Sequence, residues 1–563
     1  MLKITTPNMS GLTLPDFLRH TAKEFPNLGI YYVKEDGTTD RQLYTELLKE
    51  AQSLAFGLQQ SGYKAGDKAI IATESNRETI NSLWACLLCG IVPTILQPPV
   101  SLTSDSQAAV KMNNVFSQLE NPLVILSKPI IIGGKEFSDC TKLYSELPKF
   151  ATGEITKLSS DDLAFIQFSS GSTGEPKGIL LTHQNLKVNM NSIATGLNLN
   201  HQDNTGNWMP LYHDMGLIGY HLTPIFFTHS QYHIETIDFI KNPSLWFDTL
   251  SNAKISVTGC PNFGLALALR HLKRKTILPE WDFSTMKAML NGAEPISVKI
   301  MEEFTTAVKK FRFPQEAMMP VYGMAEATLA ISFTPLMQPS VVTGFDSDEL
   351  DRNRKAIRLI SPGASRKGRY ISGVGVALNE ISIRITDETD QELREGNAGN
   401  IQIKGPSITR GYFKNQEATE NTFCGEWLRT GDIGFFFEGN LYISGRFKDI
   451  IFMNGKNYFA NDLENLACSL DEISYGKVAF GGITDHKAGK DKIIIFAAGI
   501  PESKAAETLK RLRDLFRKTV GIPIDELVIL RSNEFPKTSS GKIQRYKILQ
   551  RYQQGDFAAN RYK

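Results

Sequence analysis

The chain has 563 residues, which is too long for a single hydrophobic core and predicts two or more domains. With 41% hydrophobic and 22% charged residues, the composition is ordinary for a soluble globular protein. The net charge of only +2 argues against a nucleic-acid-binding protein that works through bulk positive charge.

The N-terminal sequence MLKITTPNMSGLTLPDF lacks the apolar core of a signal peptide. The most apolar stretch, residues 82–100, is interrupted by Gly90 and by three prolines, so it predicts a helix–turn–strand and no membrane insertion. Cys86 and Cys89 form a C-x-x-C within this stretch, with no second cysteine pair to complete a site. A role in the core is favoured over a redox or zinc site, and a cytoplasmic location is expected.

Up to about residue 340, segments with helical and strand-like spacing alternate. Residues 44–62 predict a helix that ends at Gly62, residues 68–75 a buried strand, and residues 78–90 a second helix. Further strands are predicted within residues 122–132, 162–170, 254–261 and 286–295. Strands separated by helices imply a mainly parallel sheet with both faces covered.

The sequence changes in character after residue 340. Residues 345–378 are polar and contain seven Arg and Lys residues, and short strands follow at 380–387 and 399–405. Residues 433–445 predict a hairpin with Gly439-Asn440 at its tip. An α+β pattern returns from about residue 447, which predicts a β-rich subdomain followed by a small C-terminal domain.

Residues 167–186, QFSSGSTGEPKGILLTHQNL, place a loop rich in Gly, Ser and Thr between a buried strand and a helix. Glycines let backbone N–H groups converge on an anion, while hydroxyls and a lysine add donors and charge, as a phosphate-binding loop requires. The Walker pattern is not met, because Pro176 precedes the lysine and Gly178 stands where Ser or Thr would hold magnesium. The G-x-G-x-x-G spacing of a dinucleotide turn is absent as well. From the loop alone, a mobile surface segment is an equally good interpretation.

The order of the later motifs resolves this ambiguity. The loop is followed by WMPLYHDMGLIG (208–219), NGAEPIS (291–297), VYGMAEATLA (321–330), GY (411–412), WLRTGDIGF (427–435), GRFKDIIFMNGKN (445–457) and PKTSSGKIQR (536–545). Over nearly the whole chain, this series resembles the adenylate-forming superfamily of acyl-CoA synthetases, luciferases and peptide-synthetase adenylation domains. LYHDMGLIG, NGAEP and the extra segment after YGMAEAT make the chain most similar to the fatty acyl-AMP ligases.

The resemblance implies an α/β fold with a large N-terminal AMP-binding domain, residues 1–446, and a small mobile α+β C-terminal domain, residues 447–563. The large domain is expected to contain two helix-covered, mainly parallel β-sheet subdomains and a β-barrel-like subdomain. Lys448 aligns with the hinge about which the small domain swings. Ala460 stands where relatives generally have proline, which leaves the path of that loop open.

The implied reaction is attack of a medium- or long-chain fatty carboxylate on the α-phosphorus of ATP, with Mg²⁺, to give acyl-AMP and pyrophosphate. The acyl group would then pass to the phosphopantetheine of an acyl carrier protein and not to coenzyme A. Only 21 residues follow Lys542, too few for a fused carrier domain, so transfer is expected in trans.

The resemblance also assigns site residues. Thr173 and Glu326 would act at the magnesium–phosphate centre, Lys542 would bridge the carboxylate and the α-phosphate, and His213 would lie at the mouth of the acyl pocket. Around the phosphates would lie Ser169, Ser170, Gly171, Ser172, Thr173, Gly174 and Lys177. The adenine and the α-phosphate would contact Asn291, Gly292, Ala293, Glu294, Tyr322, Gly323 and Met324. Asp432 would accept hydrogen bonds from the ribose hydroxyls, and Arg446 would contact the ribose or a phosphate.

Each assignment has an ordinary structural alternative. Glu326 could be an acid at a helix N-terminus, Glu294 part of a turn before a helix, and Asp432 part of a turn between strands. Arg446 could be a surface arginine, and Lys542 could belong to a solvated basic tail. His229 and His233 have metal-ligand spacing for a helix, but residues 231–240 predict a strand and no cysteine pair or acidic cluster completes a zinc site.

Segment 345–378 bears on the choice of acceptor. We hypothesise that it packs between the domains and hinders the arrangement needed for coenzyme A, although a solvated loop is the alternative. Deletion of about residues 354–374 followed by an assay for acyl-CoA would test this. A conventional acyl-CoA ligase and a non-catalytic nucleotide- or carrier-binding relative are the competing functions; the latter is disfavoured because Glu326, Asp432 and Lys542 are all present.

Overall fold

The computed structural model describes residues 11–99, 107–129, 131–132, 135–136, 140–169, 176–275, 277–359, 368–453, 456–485, 490–531, 534–538 and 542–563. The α-helices in these ranges are α1 Leu14–Glu24, α2 Tyr44–Gln60, α3 Asn76–Cys89, α4 Gln107–Leu119, α5 His183–Gly196, α6 Thr223–Phe226, α7 Thr236–Lys241, α8 Ser244–Asn252, α9 Asn262–Arg274, α10 Val298–Val308, α11 Ser347–Asn353, α12 Gln416–Thr422, α13 Ala460–Ala467, α14 Ala505–Thr519 and α15 Arg545–Gln554. A π-helical segment, Met215–Leu222, precedes α6. Within the described ranges, no helix is both long enough and apolar enough to cross a membrane.

The strands fall into an N-terminal and a C-terminal series. The first series is β1 Gly29–Val33, β2 Thr39–Leu43, β3 Lys68–Ala72, β4 Val92–Ile95, β5 Leu123–Leu126, β6 Ile131–Ile132, β7 Lys135–Glu136, β8 Thr141–Leu143, β9 Leu163–Phe168, β10 Gly178–Thr182, β11 Asn204–Asn207, β12 Ser230–Ile234, β13 Val257–Gly259, β14 Ala288–Asn291, β15 Met318–Gly323 and β16 Ala330–Phe333. The second is β17 Val342–Asp346, β18 Gly368–Ser372, β19 Val376–Ala377, β20 Ser382–Thr386, β21 Gly399–Lys404, β22 Phe423–Cys424, β23 Trp427–Phe437, β24 Asn440–Arg446, β25 Ile450–Met453, β26 Lys456–Phe459, β27 Val478–Asp485, β28 Lys490–Ala498, β29 Glu526–Leu530 and β30 Arg561–Tyr562.

Two sheets with parallel centres organise the first half of the chain. One has the order β19-β16-β15-β14-β13-β11-β12-β1-β2, and its pairs from β15 to β1 are parallel. The other is the all-parallel sheet β4-β3-β5-β8. The carboxyl ends of β14 and β15 therefore lie side by side, which brings the NGAE and YGM motifs together.

Helix α3 shows how local sequence sets these elements. Its N-cap, Ser75, accepts a hydrogen bond from the N–H of Glu78, and the helix ends at Gly90, whose φ of 75° is accessible to glycine without steric cost. Cys86 and Cys89 are both buried within this helix, so the predicted helix–turn–strand and the core role of the C-x-x-C are confirmed.

The β-rich subdomain contains the antiparallel sheet β20-β21-β23-β22, with β24 paired to β23. The hairpin of β23 and β24 has a two-residue loop, Glu438 and Gly439, because Phe437 pairs with Asn440. Both loop residues have positive φ, as a type I′ turn requires, so the turn lies one residue earlier than predicted. Residues 342–377 contribute β17, α11, β18 and β19, so the described part of segment 345–378 is not a simple solvated loop.

The C-terminal residues form the sheet β27-β28-β29-β30 and bury hydrophobic clusters of their own on its two faces. Helix α14 packs one apolar stripe, including Leu509, Leu512 and Phe516, against this sheet. The predicted fold class is therefore confirmed: α/β, with helix-covered mainly parallel sheets, a barrel-like β sheet and a smaller α+β unit.

Two predicted strands differ from expectation. Strand β9 was expected to belong to a parallel sheet, but it pairs antiparallel with β10 and forms a hairpin. Residues 231–240 were expected to be one strand, but β12 ends at Ile234 and α7 begins at Thr236. Apolar spacing over ten residues fits a strand followed by a helix as well as a single strand, which explains the error.

Candidate active site

An open cleft with a volume of about 1840 Å³ lies where the large sheet, the β-rich subdomain and the C-terminal residues meet. Among the predicted site residues, those on its wall are Ser169, Lys177, His213, Ala293, Glu294, Tyr322, Gly323, Met324, Glu326, Asp432, Arg446, Lys448 and Lys542. Side chains from widely separated motifs are thus brought into one place.

The predicted phosphate-binding loop, residues 169–177, is closed at its base by a backbone hydrogen bond, in which the N–H of Ser169 donates to the carbonyl of Lys177 at 3.0 Å. The ammonium of Lys177 lies 5.0 Å from the centre of the Tyr412 ring. The predicted residues Ser170, Gly171, Ser172, Thr173 and Gly174 lie outside the described residues. The antiparallel pairing of β9 with β10 is what holds the two ends of this loop together.

Glu326 faces this end of the cleft. Its Oε1 accepts a hydrogen bond of 2.9 Å from the hydroxyl of Tyr412. Burial raises the pKa of Glu326, whereas the Tyr412 hydroxyl and the nearby Arg446 oppose that rise. The alternative of an acid at a helix N-terminus does not account for this position, because only a single turn of 3₁₀ helix, residues 325–327, is present here.

Asp432 is the centre of a second group. Its Oδ2 accepts a hydrogen bond of 2.6 Å from the Tyr322 hydroxyl, and its Oδ1 accepts one of 3.0 Å from Nε of Arg446. Asp432 and Arg446 face each other across the β23–β24 ladder, so Asp432 is not in a turn between strands. Burial, followed by the negative charge of Asp432, raises the pKa of Tyr322 well above its usual value. The phenol therefore stays protonated and continues to donate.

The NGAE and YGM motifs shape the wall between these groups. Ala293 has a φ of 70°, a left-handed conformation that is strained for alanine. The backbone changes direction at this residue, which lies on the wall of the cleft. A Cβ on Gly323 would lie 2.0 Å from the carbonyl oxygen of Leu329, so only glycine fits there. Asn291 and Gly292 lie behind the wall, and the buried Asn291 amide donates to the carbonyl of Cys260 at 2.8 Å. The predicted nucleotide contacts of these two residues stay predictions.

Glu294 has a more definite environment than a turn residue would have. Its Oε1 accepts a hydrogen bond of 2.7 Å from the backbone N–H of Phe263, in the first turn of α9. Burial raises the pKa of Glu294 above its ordinary value. The hydrogen bond from the Phe263 N–H, the ammonium groups of Lys542 and Lys537, and the Tyr475 hydroxyl offset only part of this rise. Glu294 therefore links the large sheet to three side chains of the C-terminal residues.

Lys542 lines the cleft, is half-buried, and does not belong to a solvated tail. Burial and the neighbouring Arg446 lower its pKa, while the carboxylates of Asp214, Glu294 and Asp432 raise it. Its backbone is held by Thr538, whose N–H donates to the Lys542 carbonyl at 2.7 Å. A single ammonium is thus placed among acids from three separate motifs.

His213 and Asp214 lie at the start of the π-helical segment. Nδ1 of His213 is 2.7 Å from Oδ1 of Asp214, and the same carboxylate oxygen accepts a hydrogen bond from the N–H of Met215. Burial alone would raise the pKa of Asp214, but His213, Lys542 and the backbone N–H lower it overall. Asp214 is therefore a charged partner for both His213 and Lys542.

An apolar branch of the cleft extends between α5 and the large sheet. Its walls include Ile193, Leu197, Leu199, Tyr220, Val257, Leu290, Leu329 and Phe333. Such a surface suits a hydrocarbon chain and offers few charges to a polar substrate. The neighbouring His229 and His233 belong to the core: His229 hydrogen-bonds to Thr205 and His233 to Gln231.

Lys448 lies in the short turn, residues 447–449, that connects β24 to the C-terminal residues, as a hinge would require. Across this connection, Arg369 of β18 forms an ion pair of 2.7 Å with Asp462 of α13. Its guanidinium also lies 4.7 Å from the centre of the Phe459 ring and donates to the carbonyl of Ser444. Segment 345–378 therefore contacts both the β-rich subdomain and the C-terminal residues.

Sequence reasoning assigned no role to Tyr412 or Asp214, although both stand in quoted motifs. The GY motif signals Tyr412, but its contact with Glu326 spans 86 residues of sequence. Asp214 follows His213 directly, and an acid beside a histidine is a recognisable signal. Neither contact follows from residue type and spacing alone.

Tyr412→Phe is expected to lower the rate of the adenylation reaction that the motifs imply by about 3- to 10-fold, because Glu326 loses one hydrogen bond to a charged acceptor. The phenyl ring keeps its contact with Lys177, so the variant removes the hydroxyl alone. Initial rates of pyrophosphate release would measure the effect, with Tyr63→Phe as a matched control remote from the cleft. Equal rates for Tyr412→Phe and wild type would contradict a role for this hydrogen bond.

Glu294→Gln is expected to lower the same rate by about 3- to 10-fold with little change in the KM for ATP. The amide oxygen still accepts from the Phe263 N–H, but the negative charge that faces Lys542 and Lys537 is lost. Glu302→Gln, on the exposed face of α10, is the control. A rise in the KM for ATP at unchanged kcat would instead assign Glu294 to nucleotide binding.

Comparisons with known proteins agree with this geometry. Residues 18–413 match the family described as AMP-binding enzyme. A putative acyl-CoA synthetase from Caulobacter vibrioides is 30% identical over 91% of this chain and 91% of its own length. A medium-chain-fatty-acid–[acyl-carrier-protein] ligase, TtuA, from Teredinibacter turnerae is 28% identical over 94% of this chain and 91% of its own.

Solved structures give the same picture. A structure from a study of fatty acyl-adenylate ligases from E. coli and L. pneumophila is 29% identical, covers 97% of this chain and 98% of its own, and superposes with a TM-score of 0.87. The adenylation and carrier domains of McyG, in complex with phenylalanyl-adenylate, are 28% identical and give a TM-score of 0.86 over 98% of this chain and 84% of theirs.

Proposed function

The chain belongs to the AMP-binding enzyme family and is an adenylate-forming ligase, and from this premise we propose that it activates a medium- or long-chain fatty acid with ATP. The products would be acyl-AMP and pyrophosphate, and the acyl group would pass to a phosphopantetheinylated acyl carrier protein. The observation that carries the proposal is the half-buried Lys542, which faces Asp214, Glu294 and Asp432 where an apolar branch joins the predicted phosphate-binding loop. A carboxylate and a phosphate ester can meet at this junction.

Each of these residues would have a separate role in binding or catalysis. Lys542 would offset the charges of the fatty carboxylate and the α-phosphate as they approach, which is the main obstacle between two anions. Asp432 would accept hydrogen bonds from the ribose hydroxyls, with Tyr322 and Arg446 fixing the orientation of its carboxylate. Lys177 and the backbone at Ser169 would hold the outer phosphates.

Magnesium fits the residues present. The Glu326 carboxylate provides the oxygen donor that this ion prefers, and Tyr412 fixes its orientation; Thr173, the other predicted ligand, lies outside the described residues. When bound, Mg²⁺ would withdraw charge from the phosphates and orient them. Glu326 would hold it at the loop end of the cleft, away from the apolar branch.

A carrier protein as acceptor is supported by the relatives TtuA and JamA, both named medium-chain-fatty-acid–[acyl-carrier-protein] ligases and each 28% identical to this chain. The contact between Arg369 and α13 supports it independently, since it ties segment 345–378 to the C-terminal residues. The competing function, a conventional acyl-CoA ligase, is favoured by the printed names of other relatives, such as the putative fatty-acid–CoA ligase fadD25.

Product analysis by mass spectrometry tests the proposal. The enzyme would receive ATP, magnesium and a mixture of C8 to C16 fatty acids, with coenzyme A in one sample and a phosphopantetheinylated carrier protein in the other. Acyl-AMP that persists with coenzyme A and is consumed by the carrier is the expected result. Abundant acyl-CoA would establish the conventional ligase instead, and the absence of acyl-AMP from both samples would overturn the adenylation proposal.

A further inference from the structure

A lysine outside every motif lies beside the phosphate loop. Lys111 is on α4, and its Nζ donates a hydrogen bond of 3.1 Å to the carbonyl of Phe168, the last residue of β9. Ser169, which follows, closes the base of the loop with Lys177. Lys111, Ser169 and Lys177 all line the same cleft. A lysine of α4 and a lysine at the end of the loop therefore line the same cleft.

Lys111 is held in place by its helix. The neighbouring α4 residues Met112 and Val115 are fully buried, in the same hydrophobic cluster as Ile166 and Phe168 of β9. The side chain of Lys111 extends from this packed face toward the loop, so the position of its ammonium is set by the core. Such a fixed donor needs little reorganisation when a ligand binds.

The ammonium of Lys111 has no acidic partner among the described residues. Burial lowers its pKa to about 8, and no neighbouring carboxylate offsets that effect. Lys111 is half-buried, and a cation partly withdrawn from water is costly unless an anion or several hydrogen bonds compensate it; among the described residues the Phe168 carbonyl is the group that does so. The arrangement is that of a binding site whose counter-charge arrives with the ligand.

We propose that Lys111 is a second cation, besides Lys177, for the β- and γ-phosphates of ATP and for the pyrophosphate product. The inference rests on the proposed function and adds to it a residue that no motif contains. A point charge on a flexible stem suits a phosphate chain, and two lysines from separate parts of the sequence would supply two such charges to it. AMP lacks these phosphates, so Lys111 discriminates ATP and pyrophosphate from AMP.

The test compares wild type, Lys111→Met and Lys111→Arg, with Lys142→Met, an exposed lysine of β8, as the control. Calorimetry would measure the Kd values of magnesium pyrophosphate, AMP and coenzyme A, and the reverse reaction of acyl-AMP with pyrophosphate would give the KM for pyrophosphate. Lys111→Met is expected to weaken pyrophosphate binding by about 10- to 100-fold and AMP binding by less than about 2-fold. Lys111→Arg is expected to stay within about 3-fold of wild type, because it keeps the charge.

Several outcomes would overturn the inference. These are an unchanged pyrophosphate Kd in Lys111→Met, an equal loss of AMP affinity, and a loss in Lys111→Arg as large as in Lys111→Met. Coenzyme A also contains a pyrophosphate group. An equal loss of coenzyme A affinity in Lys111→Met would therefore overturn the assignment of Lys111 to the phosphates of ATP. A wild type that forms no ATP in the reverse reaction contradicts the proposed function. If that wild type still binds pyrophosphate about 10- to 100-fold more tightly than Lys111→Met, the role of Lys111 in pyrophosphate binding is supported.

Discussion

Replacing Lys542 with methionine is expected to slow acyl-adenylate formation by about 100- to 1,000-fold, the effect of removing one preorganised donor from a transition state in which charge develops. The methionine fills much of the same space, so the loss comes from the ammonium. Asp214, Glu294 and Asp432 would remain in the cleft with their mutual repulsion no longer offset. Two approaching anions would then meet a surface that is more negative than before.

The two half-reactions separate catalysis from folding. Lys542→Met is expected to lose adenylation, measured as pyrophosphate release, while still transferring the acyl group from supplied acyl-AMP to a carrier protein. Lys518→Met, an exposed lysine in the last turn of α14, is the control and is expected to behave as wild type in both assays. Lys542→Arg is expected to recover only part of the rate, since a planar guanidinium does not reproduce a point charge. Equal losses in both half-reactions would contradict the assignment.

The sequence predicts the elements of this fold better than their pairing. Apolar spacing identifies β9 and α3 because each follows from neighbouring residues. The antiparallel pairing of β9 with β10 does not follow from spacing, because apolar spacing within a strand does not specify which other strand pairs with it. Residues 231–240 were assigned wrongly for a related reason, because a strand and a helix in succession leave a similar apolar pattern.

For the site, the sequence predicts which residues lie close together but not which of their atoms form hydrogen bonds. The motif order placed Tyr322, Asp432 and Arg446 in one region, and the structure places them within hydrogen-bonding distance although Tyr322 and Asp432 are 110 residues apart. Lys111 was missed altogether. Nothing in the residues around it differs from an ordinary helix, and its place beside the loop depends on α4 and β9 sharing one hydrophobic cluster.

One residue of segment 345–378, Arg369, links the segment to the C-terminal residues. Arg369 is almost buried, with its side chain 11% exposed, whereas its partner Asp462 is 42% exposed, so their ion pair is partly screened by water. The contact of its guanidinium with the Phe459 ring, at the end of β26, adds a second interaction with the C-terminal residues. Together these contacts stabilise the present domain arrangement by about 1–2 kcal/mol. A swing about residues 447–449 would have to break them.

Arg369→Met is therefore expected to raise acyl-CoA formation by about 5- to 30-fold, the shift in domain populations that this free energy allows. The point change is preferable to deleting residues 354–374, because the deletion also removes β18, which pairs with β17. Acyl-CoA would be measured by mass spectrometry at saturating coenzyme A. Asp462→Asn is expected to raise it as well, though less, since Phe459 still contacts the guanidinium.

The matched control lies in the same segment. Arg358 pairs with Glu438 and lies over the Phe437 ring, and both contacts stay within the β-rich subdomain. Arg358→Met removes an arginine of the segment without touching the C-terminal residues, so it is expected to leave acyl-CoA formation unchanged. If both variants raise it equally, the segment acts by general packing and not through Arg369. If neither does so in folded protein, the segment does not determine the acceptor.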